Sequence, residues 1–107
     1  MKNLIDKLTA IQAQIDEAIR NLALDKERAK LAELETAIAS PDLWSDQARA
    51  ENITKEASGL RQYLDSWDNI SEDIKTTLEI LQLDKDGQED DYQQIVKDII
   101  DRAEKIL

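Results

Sequence analysis

Carboxylates are the most abundant chemically capable side chains in this sequence, and their usual catalytic partners are absent. The chain has 24 Asp and Glu residues but no His and no Cys. It therefore lacks the common general base at neutral pH, the common zinc ligands and any thiolate nucleophile. No Gly-rich phosphate loop and no pattern that would activate a Ser or Thr is present. We predict that this chain is not an enzyme and binds no cofactor.

One acidic run raises the question of a calcium site. It consists of Asp84, Asp86, Glu89, Asp90 and Asp91, with Gly87 inside it. An EF-hand loop requires oxygen ligands, a glycine and a final glutamate at fixed positions, and this spacing does not provide them. We therefore predict no metal site. The run is better interpreted as a turn, with Gly87 at positive φ ending one helix and the later acids in the first turn of the next.

The densest positive patch is formed by Lys26, Arg28 and Lys30. Because Glu27 and Glu33 are interspersed, the simpler interpretation is a solvated helix face. The alternative is a contact for an acidic partner, and the sequence leaves both open.

The net charge of −10 is unevenly distributed. Residues 1–30 carry six basic and five acidic side chains, whereas residues 31–107 carry eight basic and nineteen acidic ones. Acidic surfaces repel phosphate backbones, so we expect no strong binding of nucleic acid by this chain alone.

Apolar residues recur at steps of four and three along most of the chain, which is typical of amphipathic helices. The pattern predicts helices over residues 3–22, 25–39, 46–82 and 90–107. Whether residues 3–39 form one kinked helix or two stays open; we favour two, with Asp25 as a candidate N-cap. The third helix would be ~55 Å long. It contains Gly59, which marks either a close helix crossing or a tolerated glycine.

These helices predict an all-α fold, a single domain built as an antiparallel bundle of three to four long helices with coiled-coil-like packing. Trp44 and Trp67 are expected to pack in it rather than to form a ligand platform. The last helix has no stop signal, so we expect the chain to belong to a longer protein. No run approaches ~18 apolar residues, and the polar faces are mixed in charge. We therefore expect no membrane association and a cytoplasmic location.

The corner between the second and third helices contains the only proline, Pro41. Proline lacks an N–H and disfavours the α region at the preceding residue, so a helix should end near Ala39. Ser45 or Asp46 can cap the next helix. Between them lie Leu43 and Trp44, which we expect to fold back onto the helices they connect.

The order of these features resembles the N-terminal domain of bacterial peptide chain release factor 2. The matching residues are Lys26-Glu27-Arg28, Pro41-Asp42-Leu43-Trp44, Asp46 and Arg49-Ala50, followed by the long helix, the acidic turn and the last helix. The resemblance covers the whole chain, and the Pro-Asp-x-Trp corner favours factor 2 over factor 1.

The resemblance implies that the complete protein recognises UGA and UAA stop codons on the ribosome and promotes peptidyl-tRNA hydrolysis. In the family, a Ser-Pro-Phe tripeptide and a Gly-Gly-Gln motif carry these activities, and this sequence contains neither. It also implies that this domain packs beside the rest of the factor and lies near the stalk base of the large ribosomal subunit. The alternative hypothesis is a stand-alone coiled-coil adaptor or oligomerisation module.

Overall fold

The computed structural model describes all residues from Met1 to Leu107 and contains helices only. Four α-helices follow one another: α1 (Lys2–Leu22), α2 (Leu24–Ala39), α3 (Gln47–Leu83) and α4 (Glu89–Ile106). A short 3-10 helix, Pro41–Ser45, lies between α2 and α3. The predicted all-α helical bundle is confirmed. The chain forms two compact units, one from Met1–Leu22 and Ser66–Leu107, the other from Ala23–Asp65.

A single residue separates α1 from α2. Ala23 adopts the left-handed conformation (φ 51°, ψ 52°), which interrupts the helical hydrogen bonds. The expectation of two helices is therefore confirmed, but Asp25 is not the N-cap; it lies in the first turn of α2. The break also changes which side chains are buried. Leu24 is buried, whereas Leu22, which follows Ala18 at a step of four, is exposed.

The first unit is a three-helix bundle of α1, α4 and the second half of α3. Asp84 contacts Tyr92 and Asp73 contacts Arg102, so α3 and α4 run antiparallel. Helix α1 packs against α4. The start of α1 lies at the turn between α3 and α4, where Ile5 lines a pocket with Leu81 and Gly87, so α1 and α4 run parallel. Helix α3 therefore runs antiparallel to both α1 and α4.

The core of this unit follows the predicted seams. Buried aliphatic and aromatic residues come from all three helices: Leu4, Leu8, Ile11, Ile15, Trp67, Ile70, Ile74, Leu78, Leu81, Val96, Ile99 and Ala103. Ile70 is buried beside the polar seam position Ser71. Each large aliphatic side chain contributes about 1.5–3 kcal/mol when fully buried. The seams thus account for most of the stabilisation of this unit.

The turn from α3 to α4 is closed by a side-chain hydrogen bond. The hydroxyl of Tyr92 donates to Oδ2 of Asp84, and Gly87 N–H donates to the carbonyl of Asp84. The prediction that Gly87 has positive φ is wrong. The glycine is needed for space instead, because a Cβ at this position would lie 2.7 Å from Cγ of Asp84. Three acids, Glu89, Asp90 and Asp91, occupy the first turn of α4 as predicted.

The second unit is composed of α2, the 3-10 helix and the first half of α3, and its core is thinner. Its buried residues are Leu24, Leu43, Ala50, Ala57 and Leu64. The predicted apolar stripe of α2, which consists of Leu31, Leu34 and Ile38, is only half-buried. Two ion pairs join α2 to α3: Lys30–Glu56 at 3.0 Å and Glu35–Arg61 at 2.6 Å. Since all four side chains are about half exposed, solvent screens both pairs and each stabilises the unit only slightly.

Gly59 in α3 has open space around it, which favours the tolerated-glycine interpretation. A Cβ built on Gly59 meets no atom within 4 Å. We expect Gly59→Ala to raise the free energy of unfolding by about 1 kcal/mol, because alanine loses less backbone entropy in a helix. Urea denaturation followed by circular dichroism measures this. Gly87→Ala is the matched control and should lower stability by displacing Asp84. An unchanged midpoint for Gly59→Ala would show that the helix is not formed at this position.

The Tyr92–Asp84 hydrogen bond predicts a dependence on alkaline pH. The bond to the carboxylate raises the pKa of Tyr92, with smaller contributions from burial and from the charge of Asp84. Its stabilisation is fully present below the unfolded-state pKa of about 10 and is lost as the pH rises through the higher folded-state value. Tyr92→Phe should therefore be less stable than the parent chain at pH 7, and the difference should vanish at strongly alkaline pH.

Urea midpoints measured from neutral to strongly alkaline pH test this expectation. Tyr63→Phe, at an exposed position in α3, is the control and should match the parent at pH 7. A Tyr92→Phe deficit that stays constant with pH would mean that lost packing, not the hydrogen bond, causes it.

Candidate functional site

The basic trio lies on the first two turns of α2, and the helix divides it. Successive positions two residues apart are rotated by about 200° on an α-helix. Lys26 and Lys30 therefore share one side of α2, and Arg28 lies on the other. Nζ of Lys30 binds Oε1 of Glu56, and both side chains are about half exposed. The trio is thus not one continuous positive surface.

The pairing of Lys30 changes what it can offer a partner. The hydrogen bond to Glu56 and then the negative charge of Glu56 raise the pKa of Lys30. Its charge is retained, but a partner anion would have to compete with Glu56. Lys26 is exposed and forms the more accessible member of the pair on this side of α2. The partner-contact role of Lys26, Arg28 and Lys30 stays a prediction.

The proline corner is a 3-10 helix held by local hydrogen bonds. Ser40, the residue before Pro41, is extended (φ −79°, ψ 126°), as expected before a proline. The Ser45 hydroxyl donates to the carbonyl of Asp42 at 2.7 Å. Oδ1 of Asp46 accepts from the N–H of Arg49 at 3.2 Å, which confirms Asp46 as the cap of α3.

Leu43 and Trp44 have different roles in this corner. Leu43 is buried. Trp44 folds back onto α2 but is 55% exposed, so the expectation that it packs in the bundle is wrong. Its indole Nε1–H donates to the carbonyl of Ile38 at 3.0 Å. Ile38 lies in the last turn of α2, where carbonyl groups have no partner within the helix. Trp44 therefore caps the end of α2 from the surface.

Trp67 has the packing role that was predicted for both tryptophans. It is buried in the first unit, and its Nε1–H has no hydrogen-bond partner. An unsatisfied buried donor costs about 1–3 kcal/mol, which the burial of the large ring offsets. A buried side chain of this kind cannot serve as a ligand platform.

The remaining surface has a groove but no arranged set of metal ligands. No group of three or more His, Cys, Asp or Glu side chains is arranged to hold a metal ion. A groove of about 590 Å³ between α1 and α4 is lined by amides, lysines and buried aliphatic residues. None of the four helices combines the length and apolar content that a membrane span requires.

Sequence reasoning did not find the Trp44–Ile38 cap, the Tyr92–Asp84 bond or the ion pairs between helices. The pairs Glu35–Arg61 and Asp73–Arg102 join positions distant in sequence, and no local signal marks them. The Tyr92–Asp84 bond had a partial signal in the sequence, since Tyr92 directly follows the acidic run that begins at Asp84.

The corner generates a prediction about its two large side chains. Leu43→Ala should lower the free energy of unfolding by about 2–5 kcal/mol, since it leaves a cavity. Trp44→Phe should cost only about 1 kcal/mol, because it removes one exposed hydrogen bond. Thermal and urea unfolding of both variants measure the difference. If Trp44→Phe costs as much as Leu43→Ala, the indole is packed in the core and the surface-cap assignment fails.

Comparisons with known proteins place this chain among translation proteins. Residues 27–107 match the family model described as the PCRF domain. The chain is 39% identical over 70 residues to peptide chain release factor 2 of Rickettsia bellii, covering 65% of this chain and 19% of that protein. It is 33% identical over 86 residues to peptide chain release factor 2 of Thermomicrobium roseum, covering 80% and 23%.

A peptide chain release factor 1, from Akkermansia muciniphila, is 40% identical over 48 residues, which cover 45% of this chain and 13% of that protein. The chain thus spans about a quarter or less of the length of these relatives. No solved structure matches it.

Proposed function

Because this chain belongs to the PCRF domain family, we propose that it is a helical domain of a translation termination factor. The match over residues 27–107 carries this proposal, since it includes α2, the proline corner, α3 and α4. The resemblance to peptide chain release factor 2, inferred from the residues, is confirmed by relatives of that name.

The complete protein is proposed to recognise UGA and UAA stop codons and to promote peptidyl-tRNA hydrolysis in the cytoplasm. Within it, this domain has a supporting role. The sequence lacks the Gly-Gly-Gln and Ser-Pro-Phe motifs that carry these activities in the family. The domain would face the ribosome near the stalk base of the large subunit and pack beside the remaining domains of the factor.

The charge distribution supports a restricted ribosomal contact. Residues 31–107 carry nineteen acidic and eight basic side chains, so most of the surface repels RNA. The side of α2 with Lys26 and Lys30 is the place where an acidic group could be accommodated. We propose that Lys26 makes this contact with Lys30 beside it, whereas Arg28, on the other side of α2, would meet a separate group of the partner.

A chimeric factor tests the proposed function. The segment of the Rickettsia bellii factor 2 that matches this chain is replaced by the chain itself. Release of formyl-methionine from ribosomes programmed with UGA, UAA or UAG is then measured. We expect release on UGA and UAA only, at a rate near that of the parent factor. An unrelated helical bundle of equal length in the same position is the control and should give slower release.

The same assay separates the competing interpretations. Lys26→Ala should raise the chimera concentration needed for half-maximal release, whereas Lys55→Ala, an exposed lysine in α3, should not. If the chimera performs no better than the unrelated bundle, the domain assignment fails. A stable oligomer of the isolated chain in sedimentation equilibrium, combined with that failure, would instead support the adaptor hypothesis.

A further inference from the structure

The outer face of the α3–α4 hairpin exposes large aliphatic side chains in an acidic surround. Ile80 is 46% exposed, Leu83 is 81% exposed and Ile95 is 51% exposed. All three belong to the same compact unit. Singly exposed aliphatic residues are common, but a contiguous group of them marks an interaction surface.

The antiparallel register brings these residues together. Asp84 bonds to Tyr92, and Asp73 pairs with Arg102 further along the hairpin. Because the helices are antiparallel, a residue one turn before Asp84 in α3 lies at the same level as a residue one turn after Tyr92 in α4. This places Ile80 and Ile95 at the same level of the hairpin. Thr76 and Thr77 line a groove with Ile95, and Ile80 and then Leu83 follow them along α3 at helical spacing.

A shallow groove continues this surface towards the Asp73–Arg102 pair. Its volume is about 350 Å³, and its lining consists of Asp73, Thr76, Thr77, Ile95, Asp98, Ile99 and Arg102. Thr77 and Ile99 are buried and form its floor. Together with Ile80 and Leu83, these residues define what we call the hairpin face.

The net charge on the hairpin face is negative. Arg102 is paired with Asp73 at 2.8 Å, so its charge is balanced within the chain. Asp98 is exposed and accepts only a neutral amide hydrogen bond, from Gln94 at 2.8 Å. Asp91, one turn before Ile95, is exposed as well. An apolar strip bordered by unbalanced carboxylates is complementary to an apolar strip bordered by lysine or arginine.

We propose that the hairpin face binds a basic amphipathic helix of a partner protein. The partner's apolar residues would cover Ile80, Leu83 and Ile95, and its cations would pair with Asp91 and Asp98. A second copy of this chain is disfavoured as the occupant, since it would place carboxylates against carboxylates. The proposal concerns this surface only and does not depend on the role in termination.

Fluorescence anisotropy with a defined probe tests the proposal. The probe is a labelled synthetic peptide of about 15 residues with leucine at helical spacing and lysine elsewhere. A scrambled peptide of the same composition and a version with glutamate replacing lysine serve as comparators. We expect the 107-residue chain to bind the amphipathic lysine peptide at least about tenfold more tightly than either comparator.

Variants then locate the binding. Ile80→Ser, Ile95→Ser and Asp98→Asn should each weaken binding, by about tenfold for the isoleucine changes. Asparagine retains the oxygen that accepts from Gln94, so Asp98→Asn should fold normally. Leu22→Ser and Glu17→Gln, exposed positions on α1, are matched controls and should leave the affinity unchanged. Circular dichroism melts check folding of each variant.

Three results would overturn the proposal. Equal affinity for the scrambled peptide would show that only net charge is recognised. Full affinity in the folded Ile80→Ser and Ile95→Ser variants would place the binding elsewhere. A dimer of the chain that dissociates in those same variants would identify a second copy as the occupant. Failure of the chimeric release assay leaves these readouts unaffected, so the two proposals fail separately.

Discussion

The length of α3 is the constraint on which the rest of the structure depends. A helix of 37 residues with an apolar stripe along it cannot bury that stripe by itself. Its second half is covered by α1 and α4, and its first half lies in the unit that contains α2 and the 3-10 helix. The other helices therefore serve to cover the apolar stripe of α3.

The two halves of α3 meet the requirement with different side chains. Trp67 and Ile74 fill the core of the first unit with large apolar groups, whereas Ala50 and Ala57 supply much of the buried surface in the second. Small residues bury little area, so the second unit gains less hydrophobic stabilisation. Its local hydrogen bonds at the proline corner and its two exposed ion pairs therefore matter proportionally more. A thin core that depends on polar contacts is also more easily adapted to a neighbouring surface.

Periodicity predicted the four helices because each depends on local pattern, and Pro41 and Asp46 set the corner by local chemistry. The errors came from choices that tertiary context decides. Trp44 could either pack in the core or cap α2, and the indole ring suits both because it has a large apolar surface and one N–H donor. Gly87 could provide positive φ or space, and only the position of Asp84 distinguishes them. Lys26, Arg28 and Lys30 formed a cluster in sequence, yet helical rotation and Glu56 separate them. Local sequence patterns do not show which distant residues a side chain will contact, and those contacts decided each case.

The acidic side chains have different effects at the start of α4 and on the hairpin face. At the start of α4 the acids stabilise the fold, because they meet the positive end of the helix. On the hairpin face Asp98 serves no helix end, and Arg102, one turn further along α4, is paired with Asp73. The Asp98 carboxylate beside the exposed isoleucines improves the solubility of the chain when no partner covers this surface. The same carboxylate selects against acidic or nucleic-acid partners when the surface is covered. The exposed apolar area supplies binding affinity, and the surrounding acidic side chains supply specificity. This face is therefore suited to binding a specific protein rather than to non-specific hydrophobic association.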